Sequence, residues 1–158
     1  MTHTTITETR FAPQTYLVWR KEIAIAGITD QTMWQTAFRK VHEYIQKNNV
    51  TIVGPGTALY FKWDQNAGRT ELGIGNAVQG ITETTDPELS LVPVSESKAV
   101  RAAVKGSYDQ LHEVHRDIQA YVKTQSLKPT LTVEEYTVMG MDKPDPKEWE
   151  TNVYYLYE

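Results

Sequence analysis

The side chains of this sequence best suited to chemistry are two adjacent glutamates in the stretch VEEYTVMGM, residues 133–141. Glu134 and Glu135 stand among Val, Thr and Met, and Tyr136 follows them directly. A carboxylate in apolar surroundings is costly unless a charge or a hydrogen-bond donor pairs with it. A bound organic cation would supply that charge, and each well-placed ring would add roughly 1–2 kcal/mol of cation–π attraction. A site for a cation among aromatic rings is therefore one hypothesis for these residues, although the pattern alone favours an ordinary ion pair or a solvated position.

Strand alternation separates the two acids. In an extended strand Glu134 and Tyr136 share one face, while Val133 and Glu135 share the other. The second set is the more apolar, so we predict that it faces the helices and that Glu134 and Tyr136 line an uncovered groove. Glu135 is expected near an edge, a bulge or a basic partner. The alternative for Glu134 is an ordinary ion pair with Arg or Lys, or a position in water at the rim.

Three more aromatic residues are candidates for the wall of the same groove. Tyr60 is the counterpart of Tyr136 in the first half of the chain, and its alternative is an ordinary strand tyrosine. Trp19 lies in the first long strand, where a large indole is more often packed in the core. Tyr108 lies at the start of a predicted helix, so its ring either points into the groove or packs locally.

Other kinds of chemistry find little support in the sequence. The absence of cysteine excludes thiolate nucleophiles, disulfides and Cys-ligated metal centres. His112 and His115 are three residues apart on a predicted helix, but the HEVH pattern differs from the two-His zinc motif and no third ligand is evident. Both histidines are predicted to be solvated. We therefore expect no metal and no cofactor.

Length and composition are those of one ordinary globular domain. A chain of 158 residues can bury its own core, and a net charge of −4 provides no basic surface for nucleic acid. The N-terminal residues lack the regions of a signal peptide, and no stretch is apolar enough to span a bilayer. We therefore expect a cytoplasmic protein that binds neither nucleic acid directly nor membranes. Four Trp and nine Tyr against three Phe favour rings with a polar group, which suit half-wet pockets.

Hydrophobic periodicity predicts two amphipathic helices. Apolar residues recur at three- and four-residue spacing in two sets: Trp34, Ala37, Phe38, Val41 and Ile45, and Leu111, Val114, Ile118, Tyr121 and Val122. The first helix is predicted to begin after Asp30, a good N-cap residue. The second is predicted to begin at Ser107 or Asp109 and to end near Ser126, before Pro129.

Strand-like segments surround both helices in the same order. They are predicted at Tyr16–Ala26, Thr57–Trp63, Glu71–Val78, Ser97–Lys105, Leu131–Met139 and Asn152–Tyr157. GTALY (56–60) aligns with TVEEY (132–136), which indicates an internal duplication. We predict one domain over 1–158, with repeat one at about 4–80, repeat two at about 90–158 and a connecting loop at 82–93. The predicted fold is α+β: two strand-helix-strand-strand repeats form one antiparallel sheet, with both helices on one face and a groove on the other.

These segments resemble the GyrI-like (gyrase-inhibitor-like) domains, the family that also supplies the effector-binding domain of multidrug-sensing transcription activators in bacteria. The likeness covers nearly the whole chain. It rests on these motifs: Gly106-Ser107-Tyr108-Asp109 with Leu111, Glu134 with Tyr136, Trp149 with Thr151, Gly54-Pro55-Gly56 leading to Tyr60, and Glu71 with Gly73. The sequence departs from the family at Asn152, where Glu is frequent, and at Leu156, where Pro is frequent.

The resemblance implies a function. It implies a duplicated fold whose groove takes bulky, flat, often cationic organic molecules, with Glu134 as charge partner among the rings. One alternative implied by the family is hydrolysis of reactive cyclopropane-bearing xenobiotics, in which Glu134 would be the catalytic residue that activates water. Another is inhibition of a protein partner such as DNA gyrase. Because these alternatives use nearly the same residues, the sequence leaves the question of enzymatic activity open.

Overall fold

A computed structural model describes residues 5–158. Its strands and main helices are β1 (Ile6–Phe11), β2 (Gln14–Ala24), α1 (Gln31–Lys47), β3 (Thr51–Asp64), β4 (Arg69–Gln79), β5 (Leu89–Val94), β6 (Ser97–Lys105), α2 (Leu111–Thr124), β7 (Pro129–Val138) and β8 (Glu150–Tyr157). Short 3-10 helices cover Ile25–Thr29, Tyr108–Gln110 and Pro146–Glu148. The order strand, helix, strand, strand occurs twice, as β2-α1-β3-β4 and β6-α2-β7-β8. The predicted α+β class and the duplication are therefore confirmed.

Helix α1 begins where its sequence predicts. The side chain of Asp30 accepts a hydrogen bond from the Thr32 N–H at 3.0 Å, which satisfies one of the free N–H groups of the first turn. Ala37, Val41 and Ile45 then form the buried stripe of the helix. This stripe packs on the strands of its own repeat, as the spacing requires.

Helix α2 begins later than predicted. The Ser107 hydroxyl donates to the Asp109 carboxylate and caps no helical N–H, so the chain first makes the 3-10 turn Tyr108–Gln110. The α-helix starts at Leu111 and ends at Thr124. Gly106 precedes the turn with a φ of 122°, a conformation that residues with a Cβ rarely adopt.

The chain divides into two compact units, and each contains a strand that the prediction missed. One unit comprises residues 5–12 with Glu96–Glu158, and its strand order is β1-β6-β8-β7. The other comprises Pro13–Ser95, and its strand order is β3-β4-β2-β5. All of these pairings are antiparallel. The strand that precedes each repeat thus joins the sheet of the other one: β1 pairs with β6, and β5 pairs with β2.

Strand β5 corrects the prediction of a loop over 82–93. The loop ends before Leu89, where the strand begins. The sequence misled because Pro93 interrupts the strand pattern. In the structure Pro93 is paired with Thr15 on a strand that has β2 as its one neighbour in the sheet order, and such an edge position tolerates a residue without an N–H donor.

The two repeats share an irregularity that aligns them. The pairing of β3 with β4 shifts between Tyr60 and Lys62, and the pairing of β7 with β8 shifts between Tyr136 and Val138. Each bulge directly follows a tyrosine, and the two tyrosines occupy the positions that the sequence alignment had matched. The structure therefore supports Tyr60 and Tyr136 as repeat-related residues. The predicted limits of the repeats themselves stay a prediction, and the first four residues lie outside the described part of the chain.

No helix within residues 5–158 has the length and apolar character needed to cross a membrane.

Candidate functional site

Glu134 lies on the face of β7 that α2 covers, which corrects the predicted orientation. Glu134 is directly opposite Val153 of β8, and residues directly opposite each other in an antiparallel pair point to the same face. Val153 packs with Val114 and Ile118 of α2 in the core of this unit. Glu134 is consequently 4% exposed, beneath the helix. The prediction was wrong because it gave the helix the more apolar face and ignored polar partners that the helix itself carries.

Tyr136 and His115 both bind the Glu134 carboxylate. The Tyr136 hydroxyl donates to Oε1 at 2.6 Å, and His115 Nε2 lies 2.5 Å from Oε2. An ionised carboxylate has acceptors alone, so the imidazole Nε2–H is the donor of the second bond. His115 reaches Glu134 from α2, whereas Tyr136 follows Glu134 two residues later on the same face of β7. The acid is therefore buried with charge-assisted hydrogen bonds to both oxygens.

His115 is fixed on its other side by Tyr155 of β8. Its Nδ1 lies 2.6 Å from the Tyr155 hydroxyl, which also accepts a weak hydrogen bond from Gln119 at 3.4 Å. Burial raises the pKa of Tyr155 to about 12, so its hydroxyl keeps its proton at any physiological pH. A continuous chain of hydrogen bonds thus runs from Tyr155 through His115 to Glu134 and Tyr136.

The prediction that both histidines are solvated was wrong for His115. His112 is exposed and contacts Arg116. The His115 side chain is 22% exposed, and its ring is occupied on both nitrogens. The sequence carried a signal for this difference. His115 lies four residues after Leu111 and three before Ile118, so it belongs to the apolar stripe of α2, where a polar side chain needs a partner.

An aromatic cluster of Tyr108, Tyr136 and Trp149 borders the carboxylate. The Tyr108 ring meets Tyr136 edge-on at a centroid distance of 5.6 Å and lies 4.8 Å from the Trp149 ring at a tilt. Tyr108 is 37% exposed, so the cluster reaches the protein surface. Burial, with the charge of Glu134 as a second cause, raises the pKa of Tyr108. The cluster therefore presents neutral rings beside a buried negative charge.

Trp149 is a member of this cluster that the prediction did not include. Its indole N–H donates to the Lys143 carbonyl at 2.8 Å, and its own carbonyl accepts from the Gly106 N–H at 2.8 Å. These bonds attach the residue before β8 to the turn before α2. The sequence offered Trp149 as a family landmark, whereas its contact with Tyr108 depends on tertiary structure.

Glu135 lies on the opposite face of β7, away from the cluster. It pairs with Asn152, and its side chain interacts with Tyr154 and Arg101. Burial raises the pKa of Glu135, although hydrogen bonds from Asn152 and Tyr154 and the charge of Arg101 act in the other direction. Arg101 is the basic partner that was expected for this acid. Its guanidinium donates to the Asn152 side chain at 2.8 Å.

Tyr60 and Trp19 belong to the other compact unit. The Tyr60 ring is 6.0 Å from that of Trp63, in an edge-on arrangement. Trp19 is 7% exposed, and the Lys21 ammonium lies 5.6 Å from its ring. The residue that corresponds to Glu134 in this repeat is Ala58, which is fully buried. A role for Tyr60 and Trp19 as walls of the site stays a prediction.

Within residues 5–158, no three His, Asp or Glu side chains are grouped so that they could hold a metal ion. The site contains one carboxylate and one imidazole, both engaged by protein atoms.

No protein-family model and no curated protein matches this sequence. Among solved structures, the C-terminal domain of EcmrR matches with a TM-score of 0.82 at 15% identity, covering 98% of both chains. The EcmrR chain in its complex with DNA also matches, with a TM-score of 0.82 at 16% identity. The protein described here spans 57% of the length of that EcmrR chain. The expectation of no direct nucleic-acid binding therefore stays a prediction.

Two further solved structures share the fold at lower similarity. SAV2435 bound to tetraphenylphosphonium matches with a TM-score of 0.67 at 12% identity, covering 98% of this chain and 94% of that one. A hydrolase of Listeria innocua matches with 0.60 at 12% identity, covering 97% and 91%. Identities this low establish the fold alone. The fold that the GyrI-like resemblance implied is thus confirmed: this chain has the architecture of the EcmrR C-terminal domain and of SAV2435.

Proposed function

We propose that this chain binds a bulky, ring-bearing organic cation and that Glu134 is the charge partner of that cation. The observation that carries the proposal is a carboxylate 4% exposed, bordered by the aromatic cluster of Tyr108, Tyr136 and Trp149. A buried charge is seldom useful to a fold, because its desolvation costs several kcal/mol per ion. SAV2435, which shares the fold, is bound to tetraphenylphosphonium, a ligand of this class.

The chemistry of such a ligand suits the site. A cation whose charge is shielded by phenyl groups is weakly hydrated, so its transfer to a protein interior costs less than that of an ammonium ion. Neutral Tyr and Trp rings attract it through their faces, by about 1–2 kcal/mol per desolvated contact. The carboxylate adds about 3–4 kcal/mol at 4–5 Å with an effective dielectric constant of about 20. Together these terms favour a cation over a neutral molecule of equal shape.

The hydroxyl of Thr151 is a further group that a ligand could use. Thr151 is directly opposite Tyr136 and is 2% exposed. Within residues 5–158 its Oγ1 has no hydrogen-bond partner, which is uncommon for a buried polar atom. A polar substituent on the ligand would remove that cost.

Glu134→Gln tests the charge-partner role. Titration calorimetry would compare tetraphenylphosphonium with neutral triphenylphosphine oxide. We expect the substitution to weaken binding of the cation at least tenfold, equivalent to about 1.4 kcal/mol, and binding of the neutral compound less than threefold. Glu135→Gln is the matched control, because this acid is on the same strand but on the opposite face. Equal losses for both ligands, or an equal effect of the control, would contradict the proposal.

The alternative function is hydrolysis by the same residues. The hydrogen-bonded chain of Tyr155, His115 and Glu134 has the composition of acid–base machinery, and the Listeria innocua hydrolase shares the fold. However, His115 and Tyr136 already bind both oxygens of Glu134, so an attacking water would have to share or replace one of these hydrogen bonds. Binding is therefore the better-supported function. Incubation with a cyclopropane-bearing electrophile decides between them: more product than protein, abolished in Glu134→Gln, would establish catalysis.

A further inference from the structure

We propose that His115 is a built-in competitor of the ligand: it occupies Glu134 in the empty protein, and a cation binds by displacing it. This inference rests on the proposed function and adds what determines its affinity and its pH dependence. The imidazole Nε2 is 2.5 Å from Glu134 Oε2, where a bound cation needs the charge of that carboxylate. The partners cannot both neutralise one negative charge at contact distance.

His115 holds the carboxylate in either of its protonation states. In the neutral ring Nε2–H donates to Glu134 while Nδ1 accepts from the Tyr155 hydroxyl; in the imidazolium both nitrogens donate. The raised pKa of Tyr155, about 12, keeps the hydroxyl available in both cases. Without a ligand, the hydrogen bond from Nε2 to Glu134 therefore forms in both protonation states, and protonation changes only the charge of the imidazole ring.

Glu134 is the acid that is hydrogen-bonded to the imidazole. From β7 the titratable groups are Glu134 and Tyr136, and from β8 the group is Tyr155. On α2 itself, Gln119 donates to the Tyr155 hydroxyl, while Arg116 contacts His112 on the exposed side of the helix. Charge on His115 therefore acts mainly through the carboxylate that the ligand requires.

The competition has a defined sign. A protonated His115 binds Glu134 as an ion pair and is a strong competitor. The neutral ring is a weaker competitor, so a cation binds more tightly as the pH rises, and the affinity then reaches a plateau. At most one proton is released when the imidazolium is displaced, which limits the change to about tenfold in Kd per pH unit. A neutral ligand makes no demand on the charge and should show little of this dependence.

The experiment is titration calorimetry with tetraphenylphosphonium between pH 5.5 and 8.0, in buffers of different ionisation enthalpy. For the wild-type chain we expect about tenfold tighter binding at pH 7.5 than at pH 5.5, with proton release at the acid end. His115→Gln keeps a neutral hydrogen-bond donor but no charge. It should bind at least fivefold more tightly than wild type at pH 5.5 and lose the pH dependence.

Tyr155→Phe provides a second variant that leaves both His115 and Glu134 in place. It removes the bond to Nδ1 and should give a smaller gain at pH 5.5, about two- to threefold, with the pH dependence retained. His112→Gln is the matched control for loss of a helix histidine, and Glu135→Gln controls for the half-buried acid on the opposite face of β7. Both should follow the wild-type pH profile.

The outcomes separate the two proposals. If His115→Gln binds no more tightly than wild type at pH 5.5, or keeps the wild-type pH profile while Glu134→Gln still abolishes cation preference, the competitor role of His115 is overturned and the proposed function stands. If Glu134→Gln leaves cation preference intact, the proposed function is overturned, and the competitor role with it. Loss of pH dependence in His115→Gln alone, with tighter binding in acid, supports both.

Discussion

The two repeats of this chain carry the same bulge and the same tyrosine, but one of them carries an acid. Glu134 precedes Tyr136 by two residues in β7, and Ala58 precedes Tyr60 by two residues in β3. Both positions are nearly or fully buried. Since the fold accepts a methyl group at this position in one repeat, the carboxylate in the other is not a requirement of the architecture. The shared bulge and tyrosine therefore belong to the architecture of the sheet, whereas the carboxylate of Glu134 is available for function.

The helices differ in the same way. His115 of α2 contacts a carboxylate, whereas His42 of α1 lies 3.1 Å from the side-chain oxygen of Asn76, a neutral amide. Each repeat thus pairs a helix histidine with a buried polar acceptor on its own sheet. A charged acceptor appears in one repeat alone, and it is the repeat that also has the Tyr108–Tyr136–Trp149 cluster. Charge and exposed rings occur together, as a cation site needs.

The largest expected effect comes from giving the other repeat the same acid. Ala58→Glu should lower the free energy of unfolding by about 3–5 kcal/mol at pH 7, because it buries a carboxylate without a built partner. Denaturant unfolding measures the loss. Ala58→Ser is the control for altered size and should cost much less. If Ala58→Glu left the stability unchanged, the first repeat could bury a carboxylate at this position as well as the second repeat does.

The next largest effect is the contribution of Tyr155 to the pH dependence of the free energy of unfolding. Its pKa is raised to about 12 in the folded chain from 10.0, so the unfolded chain ionises first as the pH rises. The stability from this group is fully present below pH 10 and is lost as the pH approaches 12, by about 2–3 kcal/mol in all. Denaturation midpoints measured between pH 9.5 and 11.5 would show how steeply the stability falls as the pH rises. Tyr155→Phe should remove this share of it, and an unchanged slope would contradict the assignment.

A smaller effect is the coupling between His115 and Glu134. A double-mutant cycle with His115→Gln and Glu134→Gln should give a coupling free energy of about 2 kcal/mol at pH 6, because Glu134 is buried and its bond to His115 is charge-assisted. The cycle is measured by denaturant unfolding. A coupling below about 0.5 kcal/mol would mean that the short contact between Nε2 and Oε2 contributes little to the stability of the folded chain.

The smallest effect provides the baseline for these values. Arg10 and Glu96 form an ion pair at 2.9 Å in the same unit, but both side chains are more than half exposed. Arg10→Gln should change the free energy of unfolding by less than about 0.5 kcal/mol. The same unfolding assay applies, and raising the salt concentration should reduce even this difference. A loss above 1 kcal/mol would remove the contrast between buried and exposed pairs.

Local sequence determined much of this protein. The spacing of apolar residues defined both helices, and Asp30 defined the start of α1. The match of GTALY with TVEEY defined the duplication, which the two bulges after Tyr60 and Tyr136 support. These features depend on neighbours within a few residues, so the pattern along the chain contains them. The pairing of an acid with a tyrosine two residues later, Glu134 with Tyr136, was visible for the same reason.

Tertiary structure alone decided which face of β7 the helix covers. Strand alternation separated Glu134 from Glu135, but it is symmetrical and names neither face as buried. The bond from His115 to Glu134 and the pairing of β1 with β6 join residues far apart in the sequence, with no local pattern to announce them. Local sequence was therefore sufficient to identify the acid and its nearest ring. The fold decided that a histidine, and not solvent, contacts that acid.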